Sequence, residues 1–412
     1  MGSTSPTLVK HRKVFYIPGY DPFPPRRYRE LFRKESAAQA AISGYQIEML
    51  GALEGAAFGW RVQAEIDGQK TESEFEVLVW SDIVQNSFHA SILLTYAALI
   101  RTAWIYISTG ALWRLMRLRK GPVIAALFPV VALLLQAAIA WAIGFLGWLV
   151  VDAFLSTIWN NGLAVGLVAT GGAFLLAWQT LRLFKKHDGR IFAHYLMHDF
   201  AHTASQYGAY PTALTTRLKR FEGAIAGALV SDVDEVLVVG HSSGAHLAVT
   251  VLAALIREGH IPADGPKLAF LSLGQVVPMV SFLPRAHALR RDLKYLSTSD
   301  LTWVDVTAPG DGCSFSLCDP VGVSGQGTPQ KKWPLVFSAV FTKSLSPERW
   351  RALRWRFFKL HFQYLCAFDR PRDYDYFQIT AGPRALADRY EGRPASRSRI
   401  DHTVSRYTST EP

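Results

Sequence analysis

The chain has 412 residues, 50% of them hydrophobic, and its 44 lysines and arginines outweigh 33 aspartates and glutamates for a formal charge of +11. The apolar excess is concentrated between about Pro122 and Phe184, and three cysteines, Cys313, Cys318 and Cys366, exclude a disulfide framework and fit a reducing compartment. The basic residues cluster beside apolar segments and in the tail, with no zinc-finger, RNP or basic-zipper pattern, which argues for an anionic membrane surface and against nucleic acid.

The first residues carry charge and a Pro-Gly turn where a secretory leader needs an unbroken apolar run, so export by that route is not expected. Lys13 to Tyr16 is β-prone and ends in the glycine turn Pro18-Gly19-Tyr20, followed by a charged, helix-favouring stretch from Arg26 to Ala41. Trp60 to Ile66 and Ser73 to Trp80 flank Asp67-Gly68, the turn chemistry of a β-hairpin. Asp82, just beyond, is read as a helix cap, with a place in a cleft as the alternative.

His89 to Trp113 is apolar and aromatic, but Arg101 in its middle is costly at the bilayer centre; an interfacial helix is expected there, with a third span as the alternative. From Gly121 no charge occurs until Asp152, well beyond the roughly 20 residues that a spanning helix needs. A second apolar run, Gly162 to Leu183, contains a Gly171-Gly172 pair suited to close helix packing. Arg114, Arg117, Arg119 and Lys120 precede the first span, and Arg182, Lys185, Lys186 and Arg190 follow the second. The positive-inside rule puts both flanks on the cytoplasmic side, as expected of a hairpin in an inner (cytoplasmic) membrane. Sequence on either side can then build one domain, with divisions at 1–88, 89–190 for the interfacial helix and hairpin, 191–391, and a disordered basic tail, 392–412.

Beyond the hairpin, Phe192 to Leu229 has helical composition with a break near Pro211. Glu235 to Val239 is continuously apolar, as a central strand buried on both faces would be, and a helix starts near Ser243. Strands are predicted at Leu268 to Leu273, Thr302 to Val306 and Pro334 to Phe341, with helical stretches between them. This alternation predicts an α/β fold, a mostly parallel sheet with helices on both faces.

Gly240-His241-Ser242-Ser243-Gly244 fits G-x-S-x-G, directly after the valine-rich strand and directly before a small-residue helix. The pattern serves a strained strand-to-helix turn that lifts one serine above the sheet, and its glycines remove side chains that would collide there. Helix amides aimed at that serine favour developing negative charge. An ordinary tight turn of small residues is the bland alternative. With strand, elbow and helix in this order, the chain resembles the α/β-hydrolase superfamily, its lipases and esterases in particular, over Lys13 to Ile66, Ser73 to Asp82 and Ile191 to Ala381.

The resemblance implies that Ser242 is a nucleophile, followed along the chain by an acid and then a histidine. Asp311, soon after the strand LTWVDV, is the implied acid; Asp305 within the strand and Asp319 deeper in the loop are alternatives, and a turn role before Gly312 is the non-catalytic one. His361 follows the last predicted strand and is the implied base, whereas His260 and His287 precede the acid and His402 lies in the tail. The backbone amides of Ser243 and Tyr20 are the implied oxyanion hole, Tyr20 by position only, since the His-Gly often found at that turn is Pro18-Gly19 here. Such a site would cleave carboxylic esters or thioesters through an acyl-enzyme, with no metal or organic cofactor implied. Its expected partners are the lipid bilayer and an ester or acyl-lipid substrate.

Two readings compete. His194, His198 and His202 recur every fourth residue beside Asp199, a stripe that would suit a membrane metalloenzyme, although a polar helix flank is the favoured reading of it. Alternatively, the fold serves as a non-catalytic membrane scaffold. Near the C-terminus, Ser346-Pro347 is a helix start, and the following RWRALRWRFFKL mixes arginine, tryptophan and phenylalanine in a composition suited to the headgroups of an anionic leaflet, with a solvated helix over packed aromatics as the alternative.

Overall fold

The computed structural model describes residues 8–21, 24–53, 55, 58–80, 82–83 and 91–412, so positions 22, 23, 54, 56, 57, 81, 89 and 90 of the expected segments lie outside the described residues. Its chain forms two compact units, residues 1–85, 106–125 and 203–412 in one, 86–105 and 126–202 in the other.

The first unit is built on an eight-stranded sheet in the order β2-β3-β4-β1-β5-β6-β7-β8. β1 (His11–Ile17) leads through α1 (Arg26–Ser43) to β2 (Gln46–Ala52), β3 (Gly59–Ile66) and β4 (Gln69–Val77), which pair antiparallel as a meander. β4, β1, β5 (Glu235–His241), β6 (Lys267–Leu273), β7 (Thr302–Thr307) and β8 (Leu335–Ser338) are all parallel. Burial explains the placement: every residue of β5 is buried, as a central strand requires, while β3 alternates along its length. The Asp67-Gly68 turn joins β3 to β4 with φ of 55° and 71°, both in the left-handed region that such two-residue hairpins demand. Across that pair, Trp60 stacks on Phe75 at 5.2 Å in the core that Phe32 and Phe377 complete.

From β1 the chain turns toward one edge of the sheet, and from β5 toward the other. The crevice at the carboxyl ends of those two neighbours is the topological switch point, where open α/β sheets bind ligands. The pair is locked at its opposite end by Arg12, whose Nε donates to Glu235 at 2.6 Å with both side chains buried, and whose other nitrogens donate to the carbonyls of Gly382 and Arg384.

α4 (Lys120–Leu155), which belongs to the second unit from Ala126 onward, and α5 (Gly162–Lys186), wholly within that unit, are each long and apolar enough to cross a membrane. Their close approach uses Gly144 and Gly147, where an added Cβ would lie 2.8 Å from the Ala173 carbonyl and 2.3 Å from Leu176. A Cβ added at Gly171 or Gly172, the pair expected to pack, would meet no other part of the described chain within 4 Å. In place of one interfacial helix, the chain before Lys120 forms α2 (Ile92–Ser108) and α3 (Ala111–Leu118), bent by 74° at a break where Gly110 takes φ 72° and long and apolar enough together for a broken span or re-entrant loop. The helical stretch beyond the hairpin divides into α6 (Ala193–Ala204) and α7 (Thr212–Leu229), interrupted at Pro211.

The tail is a correction. Its polar composition predicts disorder, yet Ile400 bridges to Cys318, donates to the Leu317 carbonyl and accepts from Asp319, and Gln326 and Arg290 hold the carbonyls of Thr408 and Ser409. Backbone groups, which composition does not register, supply that order.

Candidate active site

Ser242 follows β5 with φ at 56°, a left-handed conformation that costs a non-glycine residue about 1–2 kcal/mol and that the surroundings must hold in place. They do so at close quarters. An added Cβ on Gly244 would lie 2.0 Å from the Ile17 carbonyl, and one on Gly240 would lie 2.8 Å from Ala245 Cα, so neither position admits a side chain. The Ser242 amide donates to the Leu273 carbonyl at 2.9 Å, fixing the turn to the end of β6, and Ser243 opens α8 (Gly244–Arg257). Ser242 remains partly exposed while His241 and Ser243 beside it are buried.

On the β1 side, the turn Pro18-Gly19-Tyr20 lies against this elbow: a Cβ on Gly19 would stand 2.9 Å from Ser242 Cβ and 3.3 Å from its Oγ. Trp80 pins the turn by donating to the Pro18 carbonyl, and the Tyr20 ring packs against that indole.

On the β6 side, Gly274 takes φ 52°, and a Cβ there would be 3.0 Å from His361 Cε1. His361 closes α11 (Phe357–His361) and is buried. Its Nδ1 meets Asp311 Oδ2 at 2.8 Å, so that Nδ1–H donates to the carboxylate in the tautomer that leaves Nε2 free to accept. Buried His361 Nε2 has no hydrogen-bond partner among the described residues. The ring is also held from Ser242's own neighbour: His241 packs against it, tilted by 34° with 4.7 Å between centroids, and donates from Nε2 to the His361 carbonyl at 3.1 Å. Burial, reinforced by nearby His361, pushes His241 down to about 3, so it stays neutral and keeps that donor.

Asp311 sits past the end of β7, fully enclosed, and accepts from Tyr364 Oη at 3.0 Å and the Cys313 amide at 2.9 Å besides His361. Burial alone would raise its carboxyl; the His361 ring beside it, with the bonds from His361, Cys313 and Ser314, reverses the sign and holds it below the usual carboxylate range. Burial raises the Tyr364 hydroxyl, which therefore stays a donor.

The alternatives lie elsewhere. Asp305 faces into the sheet, accepting from Ser272 at 2.5 Å, and burial lifts it to about 8. Asp319 caps the turn at Val321 and Gly322 and pairs with Lys331. His260 stands beside Glu222 and Glu258, and His287, which opens α9 (His287–Thr298), stands beside the Ser409 carbonyl. Asp82 receives both ends of Arg217, at 2.7 and 2.5 Å. Tyr364, His241 and Gly274 are the site residues that motif reading misses. His241 lies within the motif, but the role of each becomes visible only when distant loops converge.

For a metal, Asp311, Cys313 and His361 bring one ligand atom each within 4.8 Å. The carboxylate there is engaged by His361 and Tyr364, and burial raises the Cys313 thiol away from the thiolate a metal needs, so the donor set fits a hydrogen-bonded dyad better than a metal centre. In the histidine stripe, His194 and His198 both address the Thr95 hydroxyl, at 3.4 and 3.1 Å.

The chain matches no family model, no curated protein and no solved structure. What stands in its own right is a mixed α/β sheet of eight strands with two helices able to cross a membrane.

Proposed function

We propose that this chain is a serine ester hydrolase of the α/β-hydrolase kind, anchored by a transmembrane hairpin whose basic flanks keep the catalytic domain on the cytoplasmic side. The observation that carries the reading is the buried His361 ring, with Nδ1 bound to Asp311 and Nε2 unpartnered, packed against the same strand ends that hold Ser242 at φ 56°.

Ser242 Oγ attacks the carbonyl carbon of an ester or thioester as His361 Nε2 takes its proton. Asp311 holds the ring in the required tautomer and stabilises the imidazolium, itself staying ionised. The oxyanion of the tetrahedral intermediate is received by the amides of Ser243, at the start of α8, and Tyr20, in the turn packed on Ser242. Collapse breaks the carbonyl–oxygen or carbonyl–sulfur bond, and the departing alcohol or thiol takes the proton from His361. Water, deprotonated by His361, then attacks the acyl-enzyme and releases the carboxylic acid and free Ser242.

Purified protein tested against p-nitrophenyl esters of graded chain length is expected to hydrolyse them, with Ser242→Ala and His361→Ala each abolishing turnover. Wild type no faster than Ser242→Ala would leave the fold a non-catalytic scaffold.

A further inference from the structure

The sequence from Pro347 to His361 forms α10 (Pro347–Leu353), a turn and α11, with Ser346 Oγ accepting from the Arg349 amide at the start. Trp350 packs over Gly310, and Leu360 and His361 are buried. Between these anchors six consecutive residues, Arg354 to Lys359, are exposed, among them Trp355 at 73%, Phe357 at 44% and Phe358 at 47%. Arg349 and Arg351 have carboxylates near them, Glu35 and Glu348; Arg354, Arg356 and Lys359 have none among the described residues. Contiguous exposed aromatics flanked by uncompensated cations are unfavourable in water and suited to a headgroup layer, where rings reach the acyl boundary and cations meet phosphate.

Position decides which membrane. Gly312, next to the acid Asp311, has Phe357 on one side, 3.1 Å from where its Cβ would be. On another it has Gly121, whose own added Cβ would be 3.3 Å from the Gly312 carbonyl. Gly121 belongs to the first turn of α4, and the uncharged run begins there. The apolar run therefore starts at van der Waals distance from the acid loop, and the exposed aromatics lie on the neighbouring segment. Arg119 fastens the same junction by donating to the Ser316 carbonyl at 2.9 Å.

We propose that Arg354 to Lys359 docks into the anionic leaflet of the membrane that α4 crosses, so that the site at Ser242 takes esters carried by bilayer lipids. The docking stands on the surface alone; the substrate class rests on the hydrolase reading.

The test uses the full-length protein in nanodiscs. Hydrogen exchange of the peptide spanning 349–360 is compared between phosphatidylglycerol and phosphatidylcholine discs, and is expected to be about tenfold slower in the anionic ones. In parallel, turnover of a long-chain lipid ester in phosphatidylglycerol vesicles is divided by turnover of a soluble butyrate ester. That ratio is expected to fall about tenfold or more in Trp355→Ser/Phe358→Ser and in Arg354→Gln/Arg356→Gln. Equal exchange in both discs would overturn the docking, and an unchanged ratio would overturn the substrate class. Should wild type cleave neither ester, the hydrolase reading fails while the exchange data still judge the docking.

Discussion

Replacing Asp311 with Asn changes one atom and, with it, the protonation of His361. The carboxylate is surrounded by donors only: His361 Nδ1 at 2.8 Å and Tyr364 Oη at 3.0 Å on Oδ2, the Cys313 amide at 2.9 Å on Oδ1. An amide has one accepting oxygen. If it faces Cys313, its NH2 meets His361 Nδ1, which must become the acceptor; the proton then resides on Nε2, and the ring can no longer take one from Ser242. If it faces His361, the NH2 opposes the Cys313 amide and leaves a buried donor unmatched, at about 1–3 kcal/mol of stability. The tautomer error is worth about 10⁴ in kcat in a comparable triad, or about 5 kcal/mol of barrier. Steady-state ester hydrolysis, with thermal unfolding to show that the variant is folded, measures both. Asp305→Asn is the control: burial holds that carboxyl at about 8, so a neutral group replaces a neutral group at pH 7 and turnover stays near wild type. A folded Asp311→Asn enzyme within about tenfold of wild type would refute the reasoning, because 1.4 kcal/mol is too little for a lost tautomer.

Gly19→Ala puts a methyl 2.9 Å from Ser242 Cβ and 3.3 Å from its Oγ, so turnover should fall by at least about tenfold with a thermal shift of only a few degrees; equal activity would separate that turn from the chemistry. Arg12→Met strands a buried Glu235 and frees the carbonyls of Gly382 and Arg384, and denaturant unfolding should show a loss of about 3–5 kcal/mol. His241 is held at about 3 in the folded chain against 6.5 when unfolded, so the unfolded state binds the extra proton between those values. Folding stability therefore declines as pH falls from about 6.5 toward about 3, and His241→Gln should make the loss between pH 6.5 and 4.5 smaller by about 2–3 kcal/mol. Identical pH profiles would show that His241 does not titrate this way.

Local grammar carries much of this architecture. The valine strand, the paired glycines around Ser242 and the small-residue helix mark an elbow within one short stretch of sequence, although Ile17, Gly19 and Leu273 hold it from distant segments, and the Asp67-Gly68 turn declares its hairpin in the same way. The apolar runs from Gly121 and Gly162 are legible because hydrocarbon admits few compositions. What escapes is set by distant partners. β2 reads as QIEMLGA, half exposed along an edge with helix-favouring Glu and Met, and becomes a strand because β3 offers it a ladder. The tail is ordered by the carbonyls of Leu317 and Val323 and the amide of Asp319, and the α4–α5 packing falls to Gly144 and Gly147 because their faces turn toward Ala173 and Leu176. Tyr364 and His241 acquire their roles only when β7, α11 and the elbow meet.

The proposed chemistry requires Ser242 to be an activated nucleophile, and peptide mapping after fluorophosphonate treatment of membranes that contain the protein tests this most directly. A single phosphonate adduct on Ser242 is predicted in wild type, greatly slowed in His361→Ala and absent in Ser242→Ala. An unlabelled wild-type Ser242, or equal labelling at another residue in Ser242→Ala, would contradict it.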